Sequence, residues 1–324
     1  MRRVAPLIAV GLGAFLLVAA LAVRFYAYPR LAVAPLDQSS TTTLVANDAT
    51  IFDQRPEVLH EIQTDLTTTA ITRGDVPAAQ AHGDGVAVWV NVTTTTSSDG
   101  VERSAEIDRA AFDAHTGEAV NCCDEYMETE AGVKEPVEHK GLLFKLPFET
   151  EKKTYDWWDE TLRTTVPISY KATEKIEGMT VYRFEGEVAR QEVSEREVPA
   201  SIMNIDGIDE GNVTAQEMYQ NYRTFWVEPH TGVIIKRLEE QKTTLAYEDV
   251  DRVIASDVAT QFTDETVQDN IDTYGTKAKL LGLVLGPVPW IIDLVGLLLL
   301  AGGVLLQRRS AATTSEHTRE PVSV

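Results

Sequence analysis

Cys122 and Cys123 are adjacent and are the only two cysteines in the chain. An extracytoplasmic location favours oxidation, and adjacent cysteines can form a strained vicinal disulfide. Otherwise each cysteine would need an intermolecular partner or stay free. One interpretation is a redox switch, because strained disulfides are the easily reduced ones. The other is a structural cap that rigidifies the turn after Val120. We favour the cap, since no C-x-x-C motif accompanies the pair.

The densest group of aromatic residues lies between residues 144 and 159, where five of 16 residues are aromatic. They are Phe144, Phe148, Tyr155, Trp157 and Trp158. Aromatic rings supply apolar area and flat stacking faces, so this segment could line a lipid or sugar site. Packing into the core with an exposed charged side explains the pattern about as well. The sequence leaves these two alternatives open.

No motif of a known catalytic or metal site occurs in the sequence. It contains no G-x-S-x-G, H-E-x-x-H, P-loop or G-x-G-x-x-G pattern. An acid two residues before His-Thr-Gly occurs twice, around His115 and His230. We favour two independent tight turns over a paired histidine site, because the pair lacks a third ligand or a nucleophile. We therefore predict a protein that is not an enzyme and needs no metal or cofactor.

The elements that position these residues are constrained first by charge. The chain carries 29 Lys and Arg against 50 Asp and Glu, a net charge of −21. Five of the cations and three of the anions lie outside residues 24–279, which leaves 24 cations, 47 anions and a charge of −23 on that part. Phosphate binding needs clustered cations, so nucleic acid is not an expected partner.

Both ends of the chain carry apolar segments long enough to cross a bilayer. Residues 4–23 include no charged side chain, and residues 280–306 include one. We favour an uncleaved anchor over a cleaved signal peptide at the first segment, because signal peptides have shorter apolar runs. Arginines flank both segments on their terminal sides, which predicts that both termini are cytoplasmic. The main domain would then lie outside the plasma membrane.

Asp293 is the one charged residue of the second apolar segment. A carboxylate at the bilayer centre costs about 2.5–3.5 kcal/mol, so it needs a partner or a proton. Gly282 and Gly286 form a small-x-x-x-small pair that suits helix packing. We favour packing against the first helix. The alternatives for Asp293, Gly282 and Gly286 are contact with another transmembrane protein or a proton-linked step.

Between the apolar segments, alternation and β-branched residues predict strands at residues 41–52, 66–72, 86–96, 101–112, 165–175, 179–188, 222–227 and 233–245. Helix is expected at residues 215–221 and 263–279, where Thr263 suits an N-cap. The predicted fold class is mainly β: an antiparallel sheet, sandwich or barrel-like ectodomain of one or two lobes, with two terminal transmembrane α-helices.

The expected domain organisation follows from these elements. It comprises an N-terminal transmembrane helix over residues 1–23, an extracytoplasmic β-rich domain over 24–262, a helical stalk over 263–279, a C-terminal transmembrane helix over 280–306 and a cytoplasmic tail over 307–324. The lipid bilayer is the expected partner of the two helices.

Four stretches of the chain resemble the actinobacterial family labelled PorA. They read AFDAHTGEAVNCCD at residues 111–124, GLLFKLPFETEKKTYDWWD at 141–159, YRF at 182–184 and RTFWVEPHTG at 223–232. The family carries a porin label and no established catalytic residues. The resemblance implies a high-GC Gram-positive source and a cell-envelope location. It also implies that the Asn-Cys-Cys element and the double Trp are family features.

The porin label predicts a channel, but the residues argue against a pore through the ectodomain. A membrane β-barrel needs an uninterrupted apolar outer band, whereas the predicted strand at 101–112 carries Arg103, Glu106, Asp108 and Arg109. We therefore predict a membrane-tethered envelope protein whose ectodomain binds a lipid, a glycolipid or an envelope partner. The alternatives are a porin and a scaffold for a polytopic membrane partner.

Overall fold

The computed structural model describes residues 4–83, 85–205, 207 and 210–316. It divides into two units. One contains the residues up to 32 and those from 279 onwards, and the other contains residues 33–278. The first unit is helical, and the second contains a large β-sheet.

The helical unit brings the two ends of the chain together. Helix α1 (Ala5–Ala22) continues through a π-helical turn (Val23–Ala27) into α2 (Tyr28–Leu31). The last helix, α6 (Pro287–Glu316), packs along α1. The helical segments Ala5–Leu31 and Asp264–Arg308 are each long and apolar enough to cross a bilayer. The predicted terminal helices are thus confirmed.

The second unit holds twelve strands in one antiparallel sheet. In chain order they are β1 (Ser39–Asp53), β2 (His60–Gly74), β3 (Val86–Ser97), β4 (Glu102–Asp113), β5 (Tyr126–Glu130), β6 (Val133–Pro136), β7 (Thr154–Asp159), β8 (Thr164–Ile176), β9 (Met179–Pro199), β10 (Asn212–Val227), β11 (Ile234–Tyr247) and β12 (Val250–Phe262). Their spatial order is β6-β5-β4-β3-β2-β1-β12-β11-β10-β9-β8-β7. Each half of the chain therefore forms one meander, and the two meanders join where β1 pairs with β12. The predicted mainly β fold class is confirmed as a single sheet.

Three short or peripheral helices accompany the sheet: α3 (Val76–His82), α4 (Ala200–Met203) and α5 (Asp264–Leu285). Thr263 caps α5 as expected, because its hydroxyl accepts a hydrogen bond from the Thr266 backbone N–H at 3.1 Å. Gly286 separates α5 from α6, beside Pro287.

The expected helix at residues 215–221 is wrong. These residues lie in the middle of β10, hydrogen-bonded to β9 on one side and to β11 on the other. Ala, Gln, Glu and Met favour helix by only a few tenths of a kcal/mol each. Ladders of backbone hydrogen bonds on both sides and the burial of Ala215 and Tyr219 outweigh that preference.

The two His-Thr-Gly turns meet on one segment of chain, residues 142–150, which we call the crossing segment because it lies between β6 and β7. The Phe148 backbone N–H donates to the His115 carbonyl oxygen, and the Glu149 N–H donates to the His230 carbonyl oxygen, both at 3.3 Å. The turns that we expected to be independent therefore hold the same crossing segment from both halves of the sheet.

Glycine is required at both turns because the crossing segment approaches so closely. Gly117 and Gly232 have φ angles of +79° and +72°. A Cβ atom on Gly117 would lie 2.8 Å from the Lys145 carbonyl oxygen, and one on Gly232 would lie 2.0 Å from that of Leu146. Both the positive φ and the contact exclude a larger residue.

The crossing segment also connects the two main apolar clusters of the core. Leu143 packs in a cluster with Trp89 and Phe112 of the first meander. Leu142 packs in a cluster with Ile168 and Phe225 of the second meander. Neighbouring leucines thus fill the core on both sides of the segment.

Candidate functional site

A cavity of about 960 Å³ lies against one face of the sheet. Its lining comes from β1–β4, from β10–β12, from residues 157–161 at the end of β7, and from residues 143–145 of the crossing segment. Strands of both meanders face the same space, so the sheet curves around it. The volume falls in the range of roughly 300–1,000 Å³ that is usual for small-molecule sites.

The lining on the first meander is a wall of short polar side chains, which we call the threonine wall. Its members are Thr42, Thr68, Thr72, Asn91, Thr93 and Thr95. They sit at every second position of β1, β2 or β3, which places them on one face. The Thr68 and Thr95 hydroxyls hydrogen-bond at 2.8 Å, Thr72 donates to Asn91 Oδ1 at 3.0 Å, and Asn91 donates to Thr93 at 3.1 Å. The wall largely satisfies its own polar groups.

The opposite lining is a wall of larger polar and charged side chains, which we call the charged wall. Its members are Asp159, Tyr219, Asn221, Arg223, Arg237 and Glu239. The three from β10 alternate along the strand, as do the two from β11, so they project to the same side. Asp159 Oδ2 accepts hydrogen bonds from Arg223 Nη2 at 2.5 Å and from the Tyr219 hydroxyl at 3.1 Å.

Glu239 completes the ionic cluster of the charged wall. Its Oε1 atom lies 3.0 Å from Arg237 Nη2 and 3.5 Å from Arg223 Nε. Burial by itself raises the pKa of Glu239, but the charges of Arg237 and Arg223 outweigh burial and lower it. Burial also opposes the charge on Arg223, and Glu239 and Asp159 outweigh that effect and raise its pKa. The charged forms of Glu239 and Arg223 therefore stabilise each other.

Hydrogen bonding in the charged wall is incomplete. Within the described chain, five buried side-chain atoms have no hydrogen-bond partner, and all five belong to residues that line the cavity. These atoms are Trp158 Nε1, Asn221 Oδ1, Arg223 Nε, Arg237 Nε and Glu239 Oε1. Glu239 Oε1 is nevertheless within ion-pair distance of both arginines.

A group of three carboxylates also faces the cavity: Glu106 and Asp108 on β4, and Glu160 after β7. Burial, together with the charges of Asp108 and Glu106, raises the pKa of Glu160 to about 8. Burial and Asp108 also raise the pKa of Glu106. Glu160 is exposed and is one of the residues that line the cavity, where its surroundings and the neighbouring carboxylates disfavour its charged form.

His139, a fully buried histidine that does not line the cavity, contacts Asp108. His139 Nε2 lies 2.9 Å from Asp108 Oδ1, and Nδ1 lies 2.8 Å from Glu125 Oε2. Burial by itself lowers the pKa of His139, but the hydrogen bonds to Asp108 and Glu125 outweigh it and raise the pKa to about 9. The buried position of His139 could not be predicted from neighbouring residues, because its partners Asp108 and Glu125 are 31 and 14 positions away in the chain.

The structure divides the aromatic residues that we considered as ligand-binding. Phe144, Trp157 and Trp158 line the cavity. Tyr155 does not, because its ring is buried against Phe184 at a centroid distance of 5.8 Å. Phe148 does not line the cavity either. The centroid of its ring lies 3.9 Å from the Lys145 ammonium nitrogen. Three of the five aromatic residues thus face the cavity, and a ligand on them stays a prediction.

Cys122 and Cys123 are joined by a disulfide and pack against the cluster that contains Ala79 and Val86. Arg109 donates to the Cys123 carbonyl oxygen from Nε at 3.3 Å and from Nη2 at 3.2 Å. These contacts belong to a structural cap, which remains our interpretation of the pair. Neither cysteine lines the cavity.

Close packing of α1 against α6 uses other glycines than the predicted pair. A Cβ atom on Gly13 would lie 2.6 Å from the Gly296 carbonyl oxygen, and one on Gly303 would lie 2.9 Å from that of Pro6. Gly296 and Gly303 of α6 are seven residues apart, about two helical turns, and therefore lie on the same face of the helix. Gly286 instead approaches the Gly282 carbonyl oxygen within the same stretch of helix. Asp293 is half-buried on α6.

Comparison with known proteins agrees with the resemblance inferred from the sequence. A family model described as Porin PorA matches residues 5–305. The chain is 24% identical over 240 residues to a Porin PorA of Corynebacterium resistens, which covers 54% of this chain and 58% of that protein. It is 23% identical over 377 residues to a Porin PorA of Corynebacterium amycolatum, which covers 93% of this chain and 97% of that protein.

The chain thus spans little more than half the length of the first relative and nearly all of the second. The family match and the two apolar helices together indicate a membrane protein of the cell envelope. Since the family model covers nearly the whole chain, the protein belongs to the family described as Porin PorA.

Proposed function

We propose that the sheet unit is a non-enzymatic binding domain on the outer side of the plasma membrane, and that its cavity holds an amphiphilic lipid or glycolipid of the envelope. The two terminal helices would anchor it, with both termini in the cytoplasm. The cavity carries this proposal, because it is large enough for such a ligand and has both apolar and polar regions.

The apolar region of the lining supports the lipid part of the proposal. It is formed by Leu44, Ile51, Leu66, Val258 and Phe262, on β1, β2 and β12. Leu44 and Phe262 are directly paired across β1 and β12. An alkyl chain against this region would leave water, while the ligand's polar part would meet the charged wall.

Native mass spectrometry of the gently solubilised full chain tests this proposal. We expect a co-purifying lipid mass on the protein, lost when Ala70→Trp fills the cavity from β2. The matched control is Ile71→Trp, on the next residue of the same strand, which does not line the cavity and is 36% exposed. A wild-type protein without any bound lipid, or an Ala70→Trp variant that still carries it, would overturn the proposal.

A channel is the second candidate, because the matching family is described as Porin PorA. The sheet itself supports a channel poorly, since charged residues such as Glu187, Arg190 and Glu195 are exposed along β9. A pore would instead need the terminal helices of several copies, with Asp293 facing the conduction path. Planar-bilayer recordings of the purified protein should then show conductance steps that fall with Asp293→Asn. The absence of conductance steps at high protein concentration would refute this candidate.

A further inference from the structure

If the cavity holds an amphiphilic lipid or glycolipid, as proposed above, part of its lining must contact the polar head group of that ligand. We infer that the charged wall is the head-group subsite of the cavity and that it takes a neutral polyhydroxyl group, a sugar, in preference to a phosphate or an ammonium group.

The unpartnered atoms of the cavity are the first ground for this inference. Buried polar atoms in native proteins are nearly always hydrogen-bonded. In the part of the chain that the structure describes, five such atoms lack a partner, and all belong to residues of one cavity lining. Four of the five residues that carry them are themselves buried: Trp158, Asn221, Arg223 and Glu239 are each less than a tenth exposed. A lining built in this way is suited to a polar group that arrives from outside the chain.

The mixture of donors and acceptors selects the chemistry of that group. Trp158 Nε1, Arg223 Nε and Arg237 Nε are donors, whereas Asn221 Oδ1 and Glu239 Oε1 are acceptors. A sugar hydroxyl can accept one hydrogen bond and donate another. Arg223 Nε and Glu239 Oε1 are 3.5 Å apart, so two neighbouring hydroxyls of one sugar ring could reach them, one accepting from Nε and the other donating to Oε1.

A charged head group matches this set less well. A phosphate offers acceptors, so it would leave Asn221 Oδ1 and Glu239 Oε1 unsatisfied. It would also meet the carboxylates of Asp159 and Glu239, and those of Glu106, Asp108 and Glu160, across the same cavity. An ammonium group offers only donors. It would leave the indole and the two guanidinium nitrogens unsatisfied and would be repelled by both arginines.

The aromatic side of the cavity agrees with a sugar. Trp157 and Trp158 line it beside Asp159, the carboxylate that binds Arg223. Indole faces pack well against the apolar C–H faces of a pyranose ring, while the ring hydroxyls reach polar groups at the edge. The double Trp and the charged wall therefore offer the two kinds of contact that a carbohydrate needs.

Three amphiphiles with the same alkyl chain test the inference: decyl maltoside, decyl phosphate and decyltrimethylammonium. Each is titrated onto the full chain in a polyoxyethylene detergent, which carries neither sugar nor charge, and bound molecules are counted by native mass spectrometry. We expect decyl maltoside to bind at least tenfold more tightly than the other two. Sites built to pair with hydroxyl groups discriminate by that factor or more.

Asn221→Leu removes one acceptor and should weaken decyl maltoside binding about tenfold, with little effect on decyltrimethylammonium. Arg237→Gln, at a side chain that is 37% exposed, removes one donor where folding is less at risk, and should weaken the maltoside in the same direction. Thr154→Val, which removes a hydroxyl that hydrogen-bonds to the Ser169 hydroxyl at 3.0 Å outside the cavity, is the matched control and should leave all three affinities unchanged. Melting temperatures identify any variant that fails to fold.

The outcomes separate this inference from the proposed function. Equal affinity for the three amphiphiles, or a preference for the phosphate or the ammonium compound, would overturn the sugar subsite while leaving the cavity a lipid site. Maltoside binding unaffected by both Asn221→Leu and Arg237→Gln would also overturn it. If no amphiphile binds and no envelope lipid co-purifies, the proposed function itself fails.

Discussion

The two walls of the cavity bury polar groups in different ways. On the threonine wall, Thr68 pairs with Thr95 and Thr72 pairs with Asn91 across adjacent strands. On the charged wall, Arg223 binds Asp159, while its Nε atom stays without a hydrogen bond. Hydroxyls rotate and both donate and accept, so they can satisfy each other. A guanidinium group can only donate hydrogen bonds and an ionised carboxylate can only accept them, each in a fixed geometry. Some of their donors and acceptors therefore stay without a partner.

This difference separates a structural surface from a binding surface. A self-paired wall has little left to offer a ligand. Buried charges are costly to desolvate. Removing one member of a buried ion pair leaves the other charge without compensation and without access to water. The charged wall is therefore where single substitutions should have the largest effects on both stability and binding.

The largest effect is expected from Arg223→Met. The change strands Asp159 and leaves Glu239 with Arg237 alone. Removing one partner of a buried ion pair costs about 3–5 kcal/mol, which for a unit of this size lowers the melting temperature by roughly 6–20 °C. Thermal unfolding of the full chain, followed by tryptophan fluorescence, measures it. A drop smaller than about 2 °C would mean that the cluster is not dry, and the contrast between the walls would disappear.

His139→Gln should have the next largest effect, and one that depends on pH. The folded-state pKa of about 9 exceeds the unfolded value of 6.5, so the stabilisation is complete below pH 6.5 and is lost as pH rises through 9. The full difference amounts to about 3 kcal/mol. Melting temperatures from pH 5 to 10 should show the variant well below wild type at low pH and close to it at high pH. Parallel curves would exclude a buried imidazolium.

Glu160→Gln should act in the opposite direction. The folded-state pKa of about 8 exceeds the unfolded value of 4.5, so wild-type stability falls as pH rises through this window, because the folded state resists ionising. The variant should match wild type at pH 4 and melt above it at pH 9. A pH-independent difference in melting temperature would show that Glu160 is solvated like a surface carboxylate.

The smallest effect is expected from Thr68→Val. It removes one cross-strand hydrogen bond to Thr95 but keeps the β-branched shape that suits a strand. A neutral hydrogen bond contributes about 0.5–1.5 kcal/mol. The same melting experiment should show a loss of only a few degrees at every pH. A loss as large as that of Arg223→Met would show that both walls are equally dependent on their pairing.

The strand pattern made much of the fold predictable. The predicted strands at 86–96 and 101–112 match β3 and β4 closely, and those at 165–175 and 179–188 fall in β8 and β9. The helix at 215–221 failed because local propensity cannot register pairing on both sides of a central strand. That error concealed Asn221, which as a strand residue shares a face with Tyr219 and Arg223.

The site was predictable only in part, and for a related reason. Aromatic density pointed to residues 144–158, three of whose aromatic residues do line the cavity. The charged wall gave no signal, since Asp159 and Arg223 are 64 positions apart. The same holds for His139 and for the meeting of the two His-Thr-Gly turns, which depends on how the crossing segment runs between the meanders.

By itself the sequence determined what depends on neighbours along the chain: the apolar ends, the alternation of strands, the tight turns and the N-cap at Thr263. Local hydrophobicity and backbone preferences are sufficient for these features. Only the tertiary structure decided which strands face one another across the cavity. Pairing β1 with β12 curves both meanders around the same space, and so gives one wall that satisfies itself and one that does not.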